Sequence, residues 1–257
     1  MSDQRFQRKD LKQSDNFQRT ATHFAGWLVE RRRTIGLGLL VVVAGVSLLA
    51  GLQAYRTRQE QNAAAMFAAA MRVYGSPVID VEGLDAAVAA ALTEGSSYGT
   101  EQAKYEAAVA AFGPVAEQYG SQPSGRAAAF YLGASLIALE RGDEAIAALR
   151  TASESGTPLI RAMSLYRLGT LLSDLGQHED AVATFESLAD PAPVGFPAEE
   201  AMFAKARAQE AGGDSSGAMV TYQRVATGDP GSIYAVPARA RVEELAARLG
   251  VSLDAES

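Results

Sequence analysis

The sequence predicts an all-α protein, a solenoid of helical hairpins preceded by one transmembrane helix. Three observations predict it. Between Ala127 and Val225 the chain repeats itself with a period of 36 to 37 residues. Four prolines, Pro123, Pro158, Pro193 and Pro230, punctuate that region at intervals of 35, 35 and 37. Upstream, residues 35–54 form a run of 20 positions without a charge. Self-similarity at roughly 20 to 50 residues marks an array whose units bury their apolar faces only against neighbouring units. Arrays of this kind usually bind rather than catalyse.

The register of the repeat is set by small residues. Leu132-Gly133, Ala145, Leu149 and Ala152 align with Leu168-Gly169, Ala181, Phe185 and Leu188, with shared steps of 12, 4 and 3 from the glycine. Ala206, Ala218, Tyr222 and Val225 make a third copy at the same steps. Each unit reads as two helices. In the second, Leu165, Leu168, Gly169 and Leu172 lie on one helical stripe, Gly176 interrupts it, and Ala181, Val182, Phe185 and Leu188 form another. Pro191 and Pro193 end the second helix, because proline donates no amide hydrogen and disfavours helix before it. Gly133, Gly169 and Ala206, facing Ala145, Ala181 and Ala218, are expected to let the paired backbones approach closely.

This pattern resembles the tetratricopeptide repeat, whose leucine-glycine pair, alanine and aromatic are matched by Leu168-Gly169, Ala181 and Phe185. Leu188 departs from it by standing where the family prefers a small residue. Lys205 and Gln209 replace apolar positions in the third copy, so that unit is expected to be distorted or terminal. Tyr105, Ala108, Val109 and Phe112 resemble the second helix of an incomplete earlier unit, with residues 59–74 as its partner. The segment between them contains Gly75-Ser76-Pro77, an Ala-rich helix over 85–92, and Gly95-Ser96-Ser97-Tyr98-Gly99. The expected organisation is a basic tail over 1–33, a span over 34–55 and a repeat domain over 56–257. Within the last are a degenerate unit at 59–122, repeats near 126–158, 161–193 and 198–230, and a capping helix at 236–249 that covers the final apolar face.

At about 1.5 Å per residue the apolar run is long enough to cross a hydrocarbon core of about 30 Å. The charged stretch ahead of it is long and no small-x-small cleavage site follows, which favours an uncleaved anchor over a signal peptide. Residues 1–33 carry eight basic and four acidic groups, residues 56–257 carry 15 and 26, giving +4 and −11 and the overall −7. With Arg31, Arg32 and Arg33 against the span, the amino terminus is expected in the cytoplasm. Phe17, Phe24, Trp27 and Leu28 share a helical face that suits an interfacial helix on lipid, with Trp27 in the aromatic belt. A tail that merely sets topology is the alternative. The distal domain is too acidic to suggest nucleic acid as a partner.

The chain has no cysteine and two histidines, His23 and His178. Disulfides, thiol chemistry and cysteine-based metal sites are therefore excluded, and nothing in the sequence calls for a cofactor or metal. Gly95-Ser96-Ser97-Tyr98-Gly99 formally fits the nucleophile elbow G-x-S-x-G. That motif needs a preceding strand and a later histidine to take the serine proton. Neither context is present, so Ser97 is read as a loop residue and His178 as a turn residue, and no catalytic residue is expected. Gly212-Gly213-Asp214 is read as a turn.

The whole layout is similar to the YfgM-like family of ancillary Sec-translocon subunits. That resemblance implies a single-pass protein of the bacterial inner membrane, with a periplasmic repeat domain that contacts the Sec translocon, emerging polypeptides or periplasmic chaperones. The segment 105–133 also resembles repeat domains of cell-division coordinators, which keeps an envelope-assembly or division adaptor as the alternative. An organellar import receptor is opposed by the charge asymmetry. By resemblance to tetratricopeptide repeats, the partner groove is expected at Phe130, Tyr166 and Phe203, each one residue past a core position, and at Ala134, Thr170 and Arg207. The three rings would anchor apolar side chains of a peptide, since aromatic residues combine large contact area with small entropy loss; packing against the preceding repeat is the competing role. The six positions lack the lysine and asparagine of a carboxylate clamp.

Overall fold

The computed structural model describes residues 31–79, 83, 85–93, 97–154, 157–189 and 195–252. Ten helices lie among them: α1 Arg32–Tyr74, α2 Ala86–Thr93, α3 Glu101–Tyr119, α4 Pro123–Ala138, α5 Gly142–Ser153, α6 Pro158–Asp174, α7 His178–Ala189, α8 Ala198–Ala211, α9 Ser215–Gly228 and α10 Ala235–Leu249. The only β pairing among these residues is an isolated bridge between Val78 and Tyr98, which closes the segment that carries α2. The chain divides into two compact units, Met1–Arg58 and Gln59–Ser257. The expected interfacial helix, with Phe17, Phe24, Trp27 and Leu28, lies outside the described residues, as do Gly95, Ser96, Pro191 and Pro193.

In the first unit the described chain is helical from Arg32, with Arg33 exposed at its start. The stretch from Gly36 is long and apolar enough to cross a membrane, with a mean hydropathy of 2.2 in its most apolar window and none of that window buried. Leu39, Leu40, Val42, Val46 and Leu49 all face outward. Water would penalise such a surface by about 25 cal/mol per Å², and lipid would not.

In the second unit the contacts run between successive helices, and the leading helices α4, α6 and α8 also stack in order. The core follows the repeat. Ala145, Leu149, Ala152, Leu168, Leu172, Ala181 and Phe185 form one buried cluster, and Ala206, Ala218, Tyr222, Val225, Ala238, Val242 and Leu245 another. The glycines admit a side chain from the partner helix more than its backbone. A Cβ on Gly133 would lie 2.7 Å from Leu149 Cγ, and one on Gly169 would lie 2.8 Å from the Phe185 ring, whereas the Ala145 carbonyl is 3.4 Å from the first. What each glycine accommodates is therefore the residue 16 positions downstream, which is Tyr222 opposite Ala206 in the third repeat.

The third repeat, expected to be distorted or terminal, is the last hairpin before α10 and keeps the buried positions of the other two. Lys205 pairs with Glu186 of α7 at 3.0 Å, and the Gln209 side-chain oxygen accepts the Thr221 hydroxyl of α9 at 2.7 Å. Both polar residues thus replace an apolar contact with a partner on a neighbouring helix, and Ala206, Ala218 and Tyr222 stay buried. Leu188 is also fully buried with its larger side chain, in a cluster with Ala162, Leu165 and Ala201.

Helix ends are defined locally. Thr100 caps α3 by accepting from the Ala103 amide at 3.1 Å, and Asp214 caps α9 by accepting from Gly217 at 2.9 Å. Pro114 sits inside α3 directly after Gly113, whose missing Cβ removes the clash that a pre-proline residue suffers in helical geometry. Helix α4 is capped from a distance. Its N-cap Gln122 does not cap it with a side-chain hydrogen bond; instead Glu60 of α1 accepts from the Ser124 amide at 3.2 Å and from its hydroxyl at 2.6 Å. A carboxylate there meets the free amides and the positive end of the helix dipole. Close by, Phe67 and Tyr74 of α1 pack on Phe112 and Tyr131, with ring centroids 5.3 to 6.0 Å apart.

The turn inside each hairpin needs a left-handed residue. Gly176 and Gly213 supply it with φ of 76° and 87°, but the first hairpin has Glu140 there, at φ 59°.

Candidate interaction surface

The leading helices place the six expected groove residues as three pairs: Phe130 and Ala134 on α4, Tyr166 and Thr170 on α6, Phe203 and Arg207 on α8. They do not line one continuous cavity. Phe130, Tyr166 and Thr170 come together around a cavity of about 340 Å³, with Ile137, Met163 and Phe196 completing a mainly apolar wall. Phe203 and Arg207 line a second cavity of about 510 Å³ together with Glu210, Tyr222, Arg241 and Arg248. Ala134 is buried and lines neither of these cavities.

Each ring is held by others. Tyr166 packs against Phe185 of its own hairpin at 5.9 Å and against Phe196 at 5.7 Å. Phe203 packs in the same way against Tyr222 at 5.2 Å and Tyr234 at 5.5 Å. Each ring therefore leans on its own second helix and on the connection that leads to the next helix, while one face of Tyr166 borders the apolar cavity. Phe130 is the exception. It is only 4 % exposed, leans on Tyr131, and has the Arg167 guanidinium of the following repeat 5.7 Å from its ring centre.

The tyrosine hydroxyls titrate above their ordinary range. Burial is the main cause at Tyr166, followed by the Glu200 carboxylate, with Arg207 opposing. At Tyr234 burial again leads, followed by the same carboxylate and by Tyr166. Tyr166, Tyr234 and Glu200 thus form a polar junction. Phe196, Tyr234, Arg241 and Arg248 were not legible as site residues. The rings do leave a trace, since Phe196 follows Phe185 by 11 residues and Tyr234 follows Tyr222 by 12. The arginines lie on the capping helix, outside the repeat.

The remaining candidates sit at helix ends. Ser97 donates its hydroxyl to the Leu92 carbonyl, closing the end of α2. His178 opens α7 and packs against the end of α8, where a Cβ on Gly212 would lie 2.9 Å from its own Cβ. Among the described residues no group of three or more histidine, aspartate or glutamate side chains is placed to hold a metal ion.

Residues 101–157 and 166–233 match the family model of the tetratricopeptide repeat. No curated protein matches the chain. Among solved structures, the chain is similar to a Podosopora anserina protein described as a kinesin light chain with nearly identical TPR-like repeats. The identity is 19 % and the TM-score 0.45, over 58 % of this chain and 82 % of that one. A single-substitution variant of the same protein gives the same identity and TM-score over 81 % of its length. The chain thus carries tetratricopeptide repeats in an all-helical solenoid, an architecture that serves as a scaffold for binding protein partners.

Proposed function

We propose that this protein is a membrane-tethered scaffold of the bacterial cell envelope. In this reading α1 crosses the inner membrane, the basic tail stays in the cytoplasm, and the periplasmic repeats bind polypeptide at the Sec translocon or together with periplasmic chaperones. The observation that carries the binding function is the apolar cavity between α4 and α6. Its volume suits one or two apolar side chains of a peptide, and the rings of Tyr166 and Phe196 at its rim are held in place by packing, so little entropy is lost on binding. The tether is supported by the exposed apolar length of α1. By restricting the repeats to the vicinity of a membrane complex, it raises their effective concentration and makes modest affinity sufficient.

The test is photocrosslinking from a probe at the exposed Thr170, in intact cells, with identification of the captured protein. Translocon subunits, translocating chains or periplasmic chaperones are expected. Capture of division or envelope-assembly proteins would establish the adaptor reading instead, and capture confined to cytosolic proteins would refute the topology. Protease added to spheroplasts should degrade residues 56–257 and spare the tail; protection of the repeats would reverse the orientation.

A further inference from the structure

We infer that the second cavity, between α8, α9 and α10, binds an acidic group of the polypeptide partner, so that the ligand is a segment with an apolar anchor and a nearby carboxylate. The inference rests on the peptide-binding reading above and specifies its chemistry. Three guanidinium groups converge there, from Arg207 of α8 and from Arg241 and Arg248 of α10. Two carboxylates answer them. Glu210 accepts from Arg241, and from Arg248 at 3.2 Å. Glu244 takes the other side of Arg241 at 2.5 Å, and Arg248 also donates to the Ser215 hydroxyl at 3.3 Å. Arg207 has no ion pair among the described residues. Each guanidinium carries five N–H donors in a planar fork, so these partners leave donors free, with three cations against two anions. This positive excess lies in a domain whose net charge is −11, counted over residues 56–257 as 15 basic and 26 acidic groups. An arginine fork pairs with a carboxylate through two parallel hydrogen bonds, and the Phe203 and Tyr222 rings beside it lower the local dielectric and strengthen such a pair.

The surroundings also fix where the acid goes. Glu200 sits beside Tyr166 and Tyr234, so a partner carboxylate is repelled at that junction and attracted at Arg207. Glu210 is 14 % exposed and already committed to Arg241 and Arg248, which holds those two arginines in position. Among the described residues that line this second cavity, Arg207 is the cation left without an ion pair and so open to a ligand.

The experiment selects peptides from a random phage-displayed library on the full-length chain in detergent, then measures their dissociation constants by fluorescence anisotropy. Enrichment of sequences that pair an apolar residue with aspartate, glutamate or a free carboxyl terminus is expected. Amidated and glutamine-substituted versions identify which carboxylate binds. Arg207→Ala should weaken the selected peptide about tenfold, the effect of losing one charge-assisted pair, Arg207→Glu should weaken it further, and Arg207→Lys should retain part of the affinity. Since Arg207 holds no ion pair among the described residues, the helical circular dichroism of these variants should be unchanged. Selection of neutral or basic peptides that lose binding in Tyr166→Ala would overturn this inference and leave the peptide-binding reading standing. Equal affinity of wild type and Arg207→Ala for an acidic peptide would overturn it as well. If nothing is selected, or the selected peptides ignore Tyr166→Ala, both fall.

Discussion

Replacing Glu140 by glycine is expected to stabilise the repeat domain, although it removes a side chain and adds no contact. Glu140 stands 36 residues before Gly176 and 73 before Gly213, in the same hairpin turn, and shares their positive φ. For a residue with a Cβ the left-handed region costs roughly 1–2 kcal/mol. Glycine removes that strain but gives the unfolded chain more freedom, which returns roughly 0.4–1 kcal/mol. The difference is a stabilisation of about 0.5–1 kcal/mol, or a rise in melting midpoint of about 1–4 °C for a domain of this size. Among the described residues the exposed Glu140 side chain makes no hydrogen bond or ion pair that would oppose it. The converse substitutions, Gly176→Ala and Gly213→Ala, have open space around the new Cβ, so they isolate the backbone effect and should destabilise by about 1 kcal/mol each. Thermal denaturation followed by circular dichroism on all three variants is the assay. If Glu140→Gly and Gly176→Ala shift the midpoint in the same direction, backbone strain is not what distinguishes these turns.

Gly169→Leu should destabilise the second repeat by about 1–3 kcal/mol through overpacking against Phe185, and an unchanged melting midpoint would show that Gly169 is not at a close helix crossing. Gly125→Ala should cost more, because its Cβ would lie 1.8 Å from the Tyr119 carbonyl oxygen and no side chain can move aside; urea denaturation would rank the two. Glu60→Ala should lower stability by about 1–2 kcal/mol by uncapping α4, and in a double-mutant cycle with Ser124→Ala the effects should be non-additive. Raised tyrosine pKa values favour the neutral phenol in the folded state, so their contribution is complete below the unfolded value near 10.0 and declines as pH rises beyond it. Tyr166→Phe combined with Tyr234→Phe should therefore flatten the alkaline fall in stability, as read from melting midpoints across that range.

The elements that could be read in advance are those dictated by helical periodicity. Gly169, Ala181, Phe185 and Leu188 occupy the core because a helix crossing needs small and large residues at fixed steps, and those steps recur in the sequence. Contacts formed across the repeat leave no such trace. Glu60 and Ser124 are 64 residues apart, and nothing local marks a carboxylate on one helix as the cap of another. Lys205 and Gln209 suggested distortion only because Glu186 and Thr221 could not be identified as their partners. The site was legible in part for the same reason. Tyr166 and Phe203 follow from the period, whereas Arg241 and Arg248 reach the surface from a capping helix that the period does not include. Phe130 shares the register of the other two rings but is buried more deeply, against Tyr131 and under Arg167.

The succession of contacts from each helix to the next has a consequence for how the repeats open. Coupling in such an array runs along one dimension, so a local opening is expected to begin at an end and spread inward. The two ends are fastened differently, by Glu60 on the Ser124 amide and hydroxyl of α4 at one and by Glu210 between two arginines of the capping helix at the other. Amide hydrogen exchange should therefore be slowest in α6 and α7, which have folded neighbours on both sides. If α10 is the first helix to open, it carries Arg241 and Arg248 away with it, and the second cavity is dismantled while the apolar cavity between α4 and α6 remains intact.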